Sequence, residues 1–162
     1  MFPSGSRWPG QQAVPRPSVL VVDDDERVRS GLRHSLAKMG CRVECCEEGD
    51  RAIELSREAF QRGAGFDVVL LDVSLPGGLD GAGTPAGLRA VDPGVKVIVC
   101  SGQGTEHLMG RCREQGLFGV LAKPLRFEQL QELLCRALAS DDANIHREAK
   151  IRNPRKGKGR PR

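Results

Sequence analysis

Acidic, hydroxyl and ammonium side chains stand at the ends of four short apolar runs in the sequence. Asp23 and Asp24 follow SVLVV, Asp72 ends VVLLD, Ser101 follows VIVC, and Lys123 follows GVLA. Three carboxylates brought to one place repel one another unless a cation compensates their charge. Hard oxygen ligands favour Mg²⁺, which binds one or two carboxylates and keeps several waters. If these runs converge in the fold, the sequence predicts a magnesium site.

A magnesium site of this composition suits phosphoryl transfer. The metal offsets the repulsion between an anionic donor and an anionic acceptor, so the Asp72 carboxylate can attack phosphorus as a nucleophile. Lys123 would pair with one phosphoryl oxygen as a point charge, and the Ser101 hydroxyl would donate to another. The chain would then act mainly by positioning groups and neutralising charge.

The apolar runs predict five strands, each followed by a helical segment. The strands are predicted at 18–22, 42–46, 66–71, 95–100 and 119–122. Runs this apolar are typical of parallel strands that are buried on both faces. The alternation predicts an α/β fold, a doubly wound five-stranded parallel sheet with helices on both faces. Such sheets bind ligands at the carboxyl ends of their strands, where the polar residues above lie.

Apolar residues at helical spacing identify the inner faces of the predicted helices. The inner positions are Val28, Leu32, Leu36 and Met39 in the first helix, Ala52, Ile53, Ser56, Ala59 and Phe60 in the second, and Leu108, Met109 and Cys112 in the fourth, which is predicted at 105–115. The segment 82–91 contains Thr84, Pro85 and Gly87. Because Gly and Pro disfavour a helix interior, the third helix is expected to be short, irregular or loosely held.

Four motifs, VLVVDDDE, LLDVSLP, SG and LAKP, occur in this order along the chain. Together they resemble the receiver domain of two-component response regulators, over about residues 18–139. PGGLDG, IVCSGQG and FGVLAKP are more narrowly similar to receivers attached to hybrid sensor histidine kinases. The resemblance implies a flavodoxin-like fold and a signalling phosphoacceptor rather than an enzyme. It also implies Mg²⁺-dependent transfer of a phosphoryl group to Asp72 from a sensor histidine kinase or a histidine phosphotransfer protein.

The same resemblance assigns metal ligands to four positions. Asp23 and Asp24 correspond to the acidic pair of the family. Asp72 corresponds to the phosphorylated aspartate, which also binds the metal, and Ser74 to the residue that lends its backbone carbonyl. On this assignment, the metal site draws on the ends of the first and third strands.

Positions around the last two strands follow the family with one departure. Ser101 corresponds to the switch hydroxyl and Lys123 to the invariant lysine, followed by Pro124 where the family often has a cis peptide. Gly102 fits as a small residue that leaves room for the phosphoryl group of a donor. The usual aromatic switch residue would fall at Val120, so the familiar coupling of hydroxyl movement to ring burial is not expected.

Other interpretations of these residues stay open. Taken singly, an acidic residue after a strand is more often a helix N-cap or a turn former, and Lys123 is an ordinary solvated lysine. A pseudo-receiver that binds partners without being phosphorylated is one alternative function. A phosphatase of the haloacid-dehalogenase type also places a nucleophilic aspartate at a strand end. Such an enzyme requires a second acid where this chain has Ser74, which argues against it.

The two ends of the chain differ in composition from its middle. Residues 1–17 are rich in Pro, Gly, Gln and Ser and predict a disordered arm. Residues 141–162 contain eight Lys/Arg against three Asp/Glu, a net charge of +5, and predict a basic, disordered tail. The receiver domain is expected at 18–140. Because a basic tail binds phosphates nonspecifically, the expected nucleic-acid contact through the tail is weak and nonspecific, and a DNA-associated adaptor is a further alternative.

Cysteine spacing and hydropathy bear on the cellular compartment. The six cysteines form no C-x-x-C pair, so reduced and mostly buried thiols are expected. No apolar run approaches the roughly 18 residues of a membrane span, and no signal-peptide pattern opens the chain. The sequence therefore predicts a cytoplasmic protein without a membrane partner.

Overall fold

A computed structural model describes residues 16–77 and 83–139 of the chain. Ten elements alternate strictly between strand and helix along these residues. They are β1 (Ser18–Val22), α1 (Glu26–Lys38), β2 (Arg42–Cys46), α2 (Gly49–Gln61), β3 (Val68–Asp72), α3 (Thr84–Val91), β4 (Lys96–Ser101), α4 (Thr105–Gln115), β5 (Gly119–Ala122) and α5 (Phe127–Ala139). The predicted arm before residue 16, the predicted tail, and residues 78–82, which include most of the PGGLDG motif, lie outside the described residues.

The strands form one parallel sheet in the order β2-β1-β3-β4-β5. Their register aligns the carboxyl ends: Val22 pairs with Leu71, Asp72 with Cys100, and Ser101 with Ala122. All residues of β1 and β3 are buried, as the unbroken apolar runs predict. The predicted α/β fold, a doubly wound five-stranded parallel sheet of the flavodoxin-like type, is confirmed.

The helices cover both faces of the sheet because successive strand residues point to opposite sides. Val19 and Val21 of β1 lie in a cluster with buried leucines of α1 and α5. Leu20 and Val22 lie in a second cluster on the other face, with buried residues of α2, α3 and α4. Because apolar clusters occupy both faces of the sheet, its polar side chains gather at the rim where the strands end.

Two predicted inner-face positions prove wrong. Phe60 of α2 is 41% exposed and Met109 of α4 is 59% exposed. At about 100° per residue, Phe60 lies roughly 90° from the centre of the face formed by Ala52 and Ala59. Met109 lies roughly 80° from the centre of the face of α4 formed by Leu108 and Cys112. Both side chains therefore sit at the margin of an amphipathic stripe that is narrower than the apolar spacing suggested.

The third helix is short, as predicted, but it is closely packed rather than loose. Thr84, Pro85 and Leu88 are all buried. A Cβ atom added at Gly87 would lie only 2.5 Å from Cδ1 of Ile53 on α2. Gly49 of α2 similarly has no room for a side chain beside Thr84. The glycines that disfavour helix formation here are what let α2 and α3 approach each other.

Candidate functional site

The loop from β1 to α1 presents an acidic pair at the rim of the sheet. Asp23 is buried and Asp24 is exposed. The Asp23 amide donates to the carbonyl of Cys46 on β2 (3.1 Å), and its Oδ1 accepts from the Asp25 amide (2.9 Å). Asp25 in turn caps α1, because its side chain accepts from the Arg27 amide. The N-cap interpretation thus applies to Asp25, while Asp23 and Asp24 face the rim.

Asp72 ends the central strand β3 and is buried. Its Oδ1 accepts two hydrogen bonds from Ser74, one from the amide (2.9 Å) and one from the hydroxyl (2.8 Å). The next residue, Val73, donates its amide to the carbonyl of Cys100 (3.0 Å) and so continues the pairing with β4. These bonds fix the carboxylate in a tight turn and place Ser74 directly beside it.

The Lys123 ammonium joins the ends of two strands to the end of β5. Its Nζ lies 2.9 Å from Oδ2 of Asp23 and 3.2 Å from Oδ2 of Asp72. Burial lowers the pKa of Lys123, but the hydrogen bonds to Asp23 and Asp72 outweigh burial, so its pKa is raised above the usual value. A charged ammonium therefore bridges the two carboxylates. The Lys123–Pro124 peptide is cis, as the family resemblance implied.

The distances between carboxylate oxygens of the three aspartates show whether these residues fit one metal ion. One carboxylate oxygen from each of Asp23, Asp24 and Asp72 lies within 4.8 Å of the others. Oxygen ligands at the Mg²⁺ bonding distance lie at most about 4 Å apart across one ion. The carboxylate oxygens are therefore near the separations that one ion requires, and the residues fit a hard divalent cation. Ser74, to which the resemblance assigns the carbonyl ligand, also lies at this site, because its amide donates to Asp72.

Ser101 ends β4 and is buried at the same rim. Its hydroxyl donates to the carbonyl of Gln103 (2.7 Å) and accepts from the Gln103 amide (3.2 Å). The Lys123 amide donates to the Ser101 carbonyl (2.7 Å), which ties the ends of β4 and β5 together. The surroundings of Gly102 are open, since an added Cβ would meet nothing within 4 Å. The hydroxyl is therefore engaged with its own loop beside open space.

Two residues that the sequence did not single out contact the site. Arg29 of α1 donates from Nη1 to the Asp23 carbonyl (2.8 Å) and from Nη2 to Oε1 of Glu47 (3.1 Å). Glu47 lines a cavity of about 450 Å³ together with Asp24. A basic residue one turn into the helix that follows DDD was the available signal, but helical spacing alone does not show that its side chain folds back onto the end of the strand.

Val120, which occupies the position of the usual aromatic switch, is partly buried on β5. A groove of about 520 Å³ lies beside it between α4 and α5. Exposed Met109 and the guanidinium-bearing residues Arg113 and Arg136 are among the residues that line this groove. Val120 is thus one of the residues that line an open groove beside β5.

The fold and site define a flavodoxin-like α/β protein with an acidic, lysine-bridged pocket at the carboxyl ends of its strands. The family model of the response regulator receiver domain matches residues 19–135, and the chain belongs to this family. It is accordingly a receiver domain of two-component signalling. Within the described residues, no helix combines the length and apolarity that crossing a membrane requires.

Similar proteins and similar solved structures support this family assignment. The chain is 34% identical over 119 residues to the transcriptional activator protein PfeR of Pseudomonas aeruginosa, covering 73% of the chain and 36% of PfeR. It is 28% identical over 139 residues to a cyclic di-GMP phosphodiesterase of Thermotoga maritima, covering 86% of the chain and 36% of that protein. The chain thus spans about a third of the length of these relatives.

One similar solved structure is the receiver domain of the sensor histidine kinase PA1611 from Pseudomonas aeruginosa PAO1. It is 26% identical, and the alignment covers 78% of this chain and all of the other, with a TM-score of 0.64. That structure has a magnesium ion coordinated in its active site cleft. The likeness therefore extends to a protein in which a receiver cleft holds this metal.

Proposed function

We propose that this chain is a phosphoacceptor whose Asp72 takes a phosphoryl group in a Mg²⁺-dependent reaction. The observation that carries the proposal is the position of the Lys123 ammonium, which bonds both Asp23 and Asp72 beside Asp24. A buried carboxylate nucleophile, an acidic pair and a fixed cation are together what the reaction needs. The proposed donor is a sensor histidine kinase or a histidine phosphotransfer protein.

In the proposed reaction, an oxygen of Asp72 forms a bond to phosphorus while the phosphorus–nitrogen bond of the donor histidine breaks. The electron pair of the broken bond stays on the imidazole nitrogen, which takes up a proton. Asp23, Asp24 and Asp72, with the Ser74 carbonyl, would hold Mg²⁺, which supplies charge compensation for the transferring group. Lys123 would move from its pair with Asp72 to a phosphoryl oxygen.

Ser101 is proposed to bind a second phosphoryl oxygen. Because its hydroxyl donates to the Gln103 carbonyl at 2.7 Å, that bond must break when the hydroxyl turns toward the phosphoryl group. The open space at Gly102 lets a donor approach. We propose that α4, β5 and α5 then carry the response, with Val120 and the adjacent groove in place of an aromatic switch.

We further propose that residues 18–140 form the receiver domain, which acts as a signalling phosphoacceptor and not as an enzyme with its own turnover. None of the six cysteines, all of which lie in the described residues, forms a disulfide, and four of them are buried. Burial raises the pKa of the Cys46 thiol to about 11 and that of Cys100 to about 12. Because disulfides are rare in cytosolic proteins, cysteines that form no disulfide support the cytoplasm as the proposed compartment.

The test is labelling with acetyl phosphate. Wild-type protein in Mg²⁺ should gain one acid-stable, base-labile phosphoryl group by intact mass, and EDTA should prevent the gain. Asp72→Asn should remove it. The matched control is Asp92→Asn, since Asp92 is also a buried aspartate but lies after α3. Labelling that persists in Asp72→Asn, or that is absent from the wild type, would contradict the proposal.

A further inference from the structure

We propose that Arg29 is a positioning residue for the metal site, and that it sets the direction of the acidic pair from outside the ligand set. The inference rests on the proposed function in one respect, because it takes the aspartates to bind Mg²⁺. Arg29 lies in the first turns of α1, and its side chain is only 15% exposed although it carries a full charge. A guanidinium is held this deep when its hydrogen bonds are satisfied by the fold.

The two acceptors of Arg29 belong to two different loops at the rim. Nη1 donates to the Asp23 carbonyl at 2.8 Å, and Nη2 donates to Oε1 of Glu47 at 3.1 Å. Asp23 begins the loop after β1, and Glu47 begins the loop after β2. The planar fork of one arginine therefore ties these loops together, which a lysine point charge could not do equally well.

The bond to the Asp23 carbonyl has a specific geometric effect. That carbonyl shares a rigid, planar peptide unit with the amide of Asp24. The Asp23 amide is already held by the Cys46 carbonyl at 3.1 Å. The peptide groups on both sides of Asp23 are thus hydrogen-bonded, which restricts the backbone rotations that aim its side chain. The bonded carbonyl also restricts Asp24, because Asp24 shares that peptide unit. Arg29 thus orients two ligands without touching either carboxylate.

If Arg29 acted only through its charge, its removal would tighten Mg²⁺ binding. A cation beside three carboxylates repels the metal ion, so taking that cation away favours binding. If Arg29 acts by positioning, its removal loosens the acidic pair and weakens metal binding. Outer-shell partners of metal ligands typically affect affinity by about 10- to 100-fold when removed. The sign of the change in the Mg²⁺ dissociation constant therefore separates the two roles.

The experiment titrates Mg²⁺ into ¹⁵N-labelled protein and follows the backbone amide shifts of Asp24 and Asp72. Arg29→Met keeps the aliphatic stem but removes both donors, and should raise the dissociation constant about tenfold. Arg29→Lys keeps the charge without the fork and should raise it about threefold. The control Arg33→Met removes an exposed arginine one turn later on the same helix and should leave the constant unchanged.

Thermal unfolding in EDTA shows whether each variant folds. If Arg29→Met does not fold, Arg29→Lys carries the test. A folded Arg29 variant that binds Mg²⁺ as tightly as the wild type, or more tightly, overturns the inference. Wild-type protein that shows no Mg²⁺-dependent shifts overturns it together with the metal site. Wild-type protein that binds Mg²⁺ but is not labelled by acetyl phosphate counts against the proposed function alone, and the ratio of dissociation constants still decides the role of Arg29.

Discussion

At the scale of single residues, Lys123 links charges that are far apart in the sequence. It is separated from Asp23 by 100 positions, yet its ammonium is shared between that carboxylate and Asp72. Three carboxylates near one rim would repel one another without it. The lysine therefore acts as an internal counter-ion for the metal-free protein, and its own protonation is stabilised by the fold.

Replacing Lys123 by Met should lower the free energy of unfolding by an amount that depends on pH. A fully buried ion pair costs 3–5 kcal/mol when one partner is removed, but Lys123 is 24% exposed, so about 1–3 kcal/mol is expected. Because the folded-state pKa of Lys123 is raised, its contribution is complete below the unfolded pKa of about 10.4. The contribution is then lost as pH rises through the higher, folded-state pKa.

The measurement is the free energy of unfolding in urea with EDTA, from pH 7 to 11. The difference between the wild type and Lys123→Met should be constant up to about pH 10 and then shrink. Lys38→Met, at an exposed position near the end of α1, serves as the control. A difference that is absent at neutral pH, or that grows above pH 10, would show that the ammonium does not stabilise the acidic pair.

At the scale of elements, the sequence was most informative for the strands and least for the faces of helices. Each predicted strand lies within two residues of its observed bounds, since the apolar runs reflect burial on both faces. Phe60 and Met109 were assigned wrongly because apolar spacing does not give the width of the buried stripe. The packing of α3 could not be predicted either, because Gly87 lowers helix propensity while allowing a close contact that only tertiary structure reveals.

The contact between α2 and α3 can be tested by filling the space at Gly87. Gly87→Val should destabilise the protein by about 1–3 kcal/mol, because the new side chain would collide with Ile53. Combining it with Ile53→Ala should recover part of that loss through a favourable coupling of the two changes. The quantity measured is the free energy of unfolding of the two single variants and the double variant.

Gly31 of α1 supplies the matched control for this prediction. An added Cβ there would meet nothing within 4 Å, so Gly31→Ala should stabilise the protein by up to about 1 kcal/mol through helix propensity alone. If Gly87→Val did not lower the free energy of unfolding relative to the wild type, the close approach of α2 and α3 would be contradicted.

At the scale of the whole molecule, the site exists only when the sheet is complete. Its groups come from the ends of β1, β3, β4 and β5, which are four adjacent strands of the sheet. The placement of these groups at one rim followed from the sequence, because parallel strands in a doubly wound sheet all end on the same side. The pairing of Lys123 with two aspartates and the fold-back of Arg29 did not, since both depend on side-chain directions across distant segments.

Because no local segment contains the whole site, Mg²⁺ should bind the folded protein and not the unfolded chain. Metal at 100 times its dissociation constant should then raise the free energy of unfolding by about 2.7 kcal/mol. Asp24→Asn removes an exposed member of the aspartate cluster and should abolish most of this gain. Glu114→Gln changes an exposed acid near the C-terminal end of α4, which is not a member of the cluster, and should leave the gain intact. Urea unfolding with and without Mg²⁺ checks the prediction, and an equal gain in the wild type and in Asp24→Asn would mean that the cation binds elsewhere.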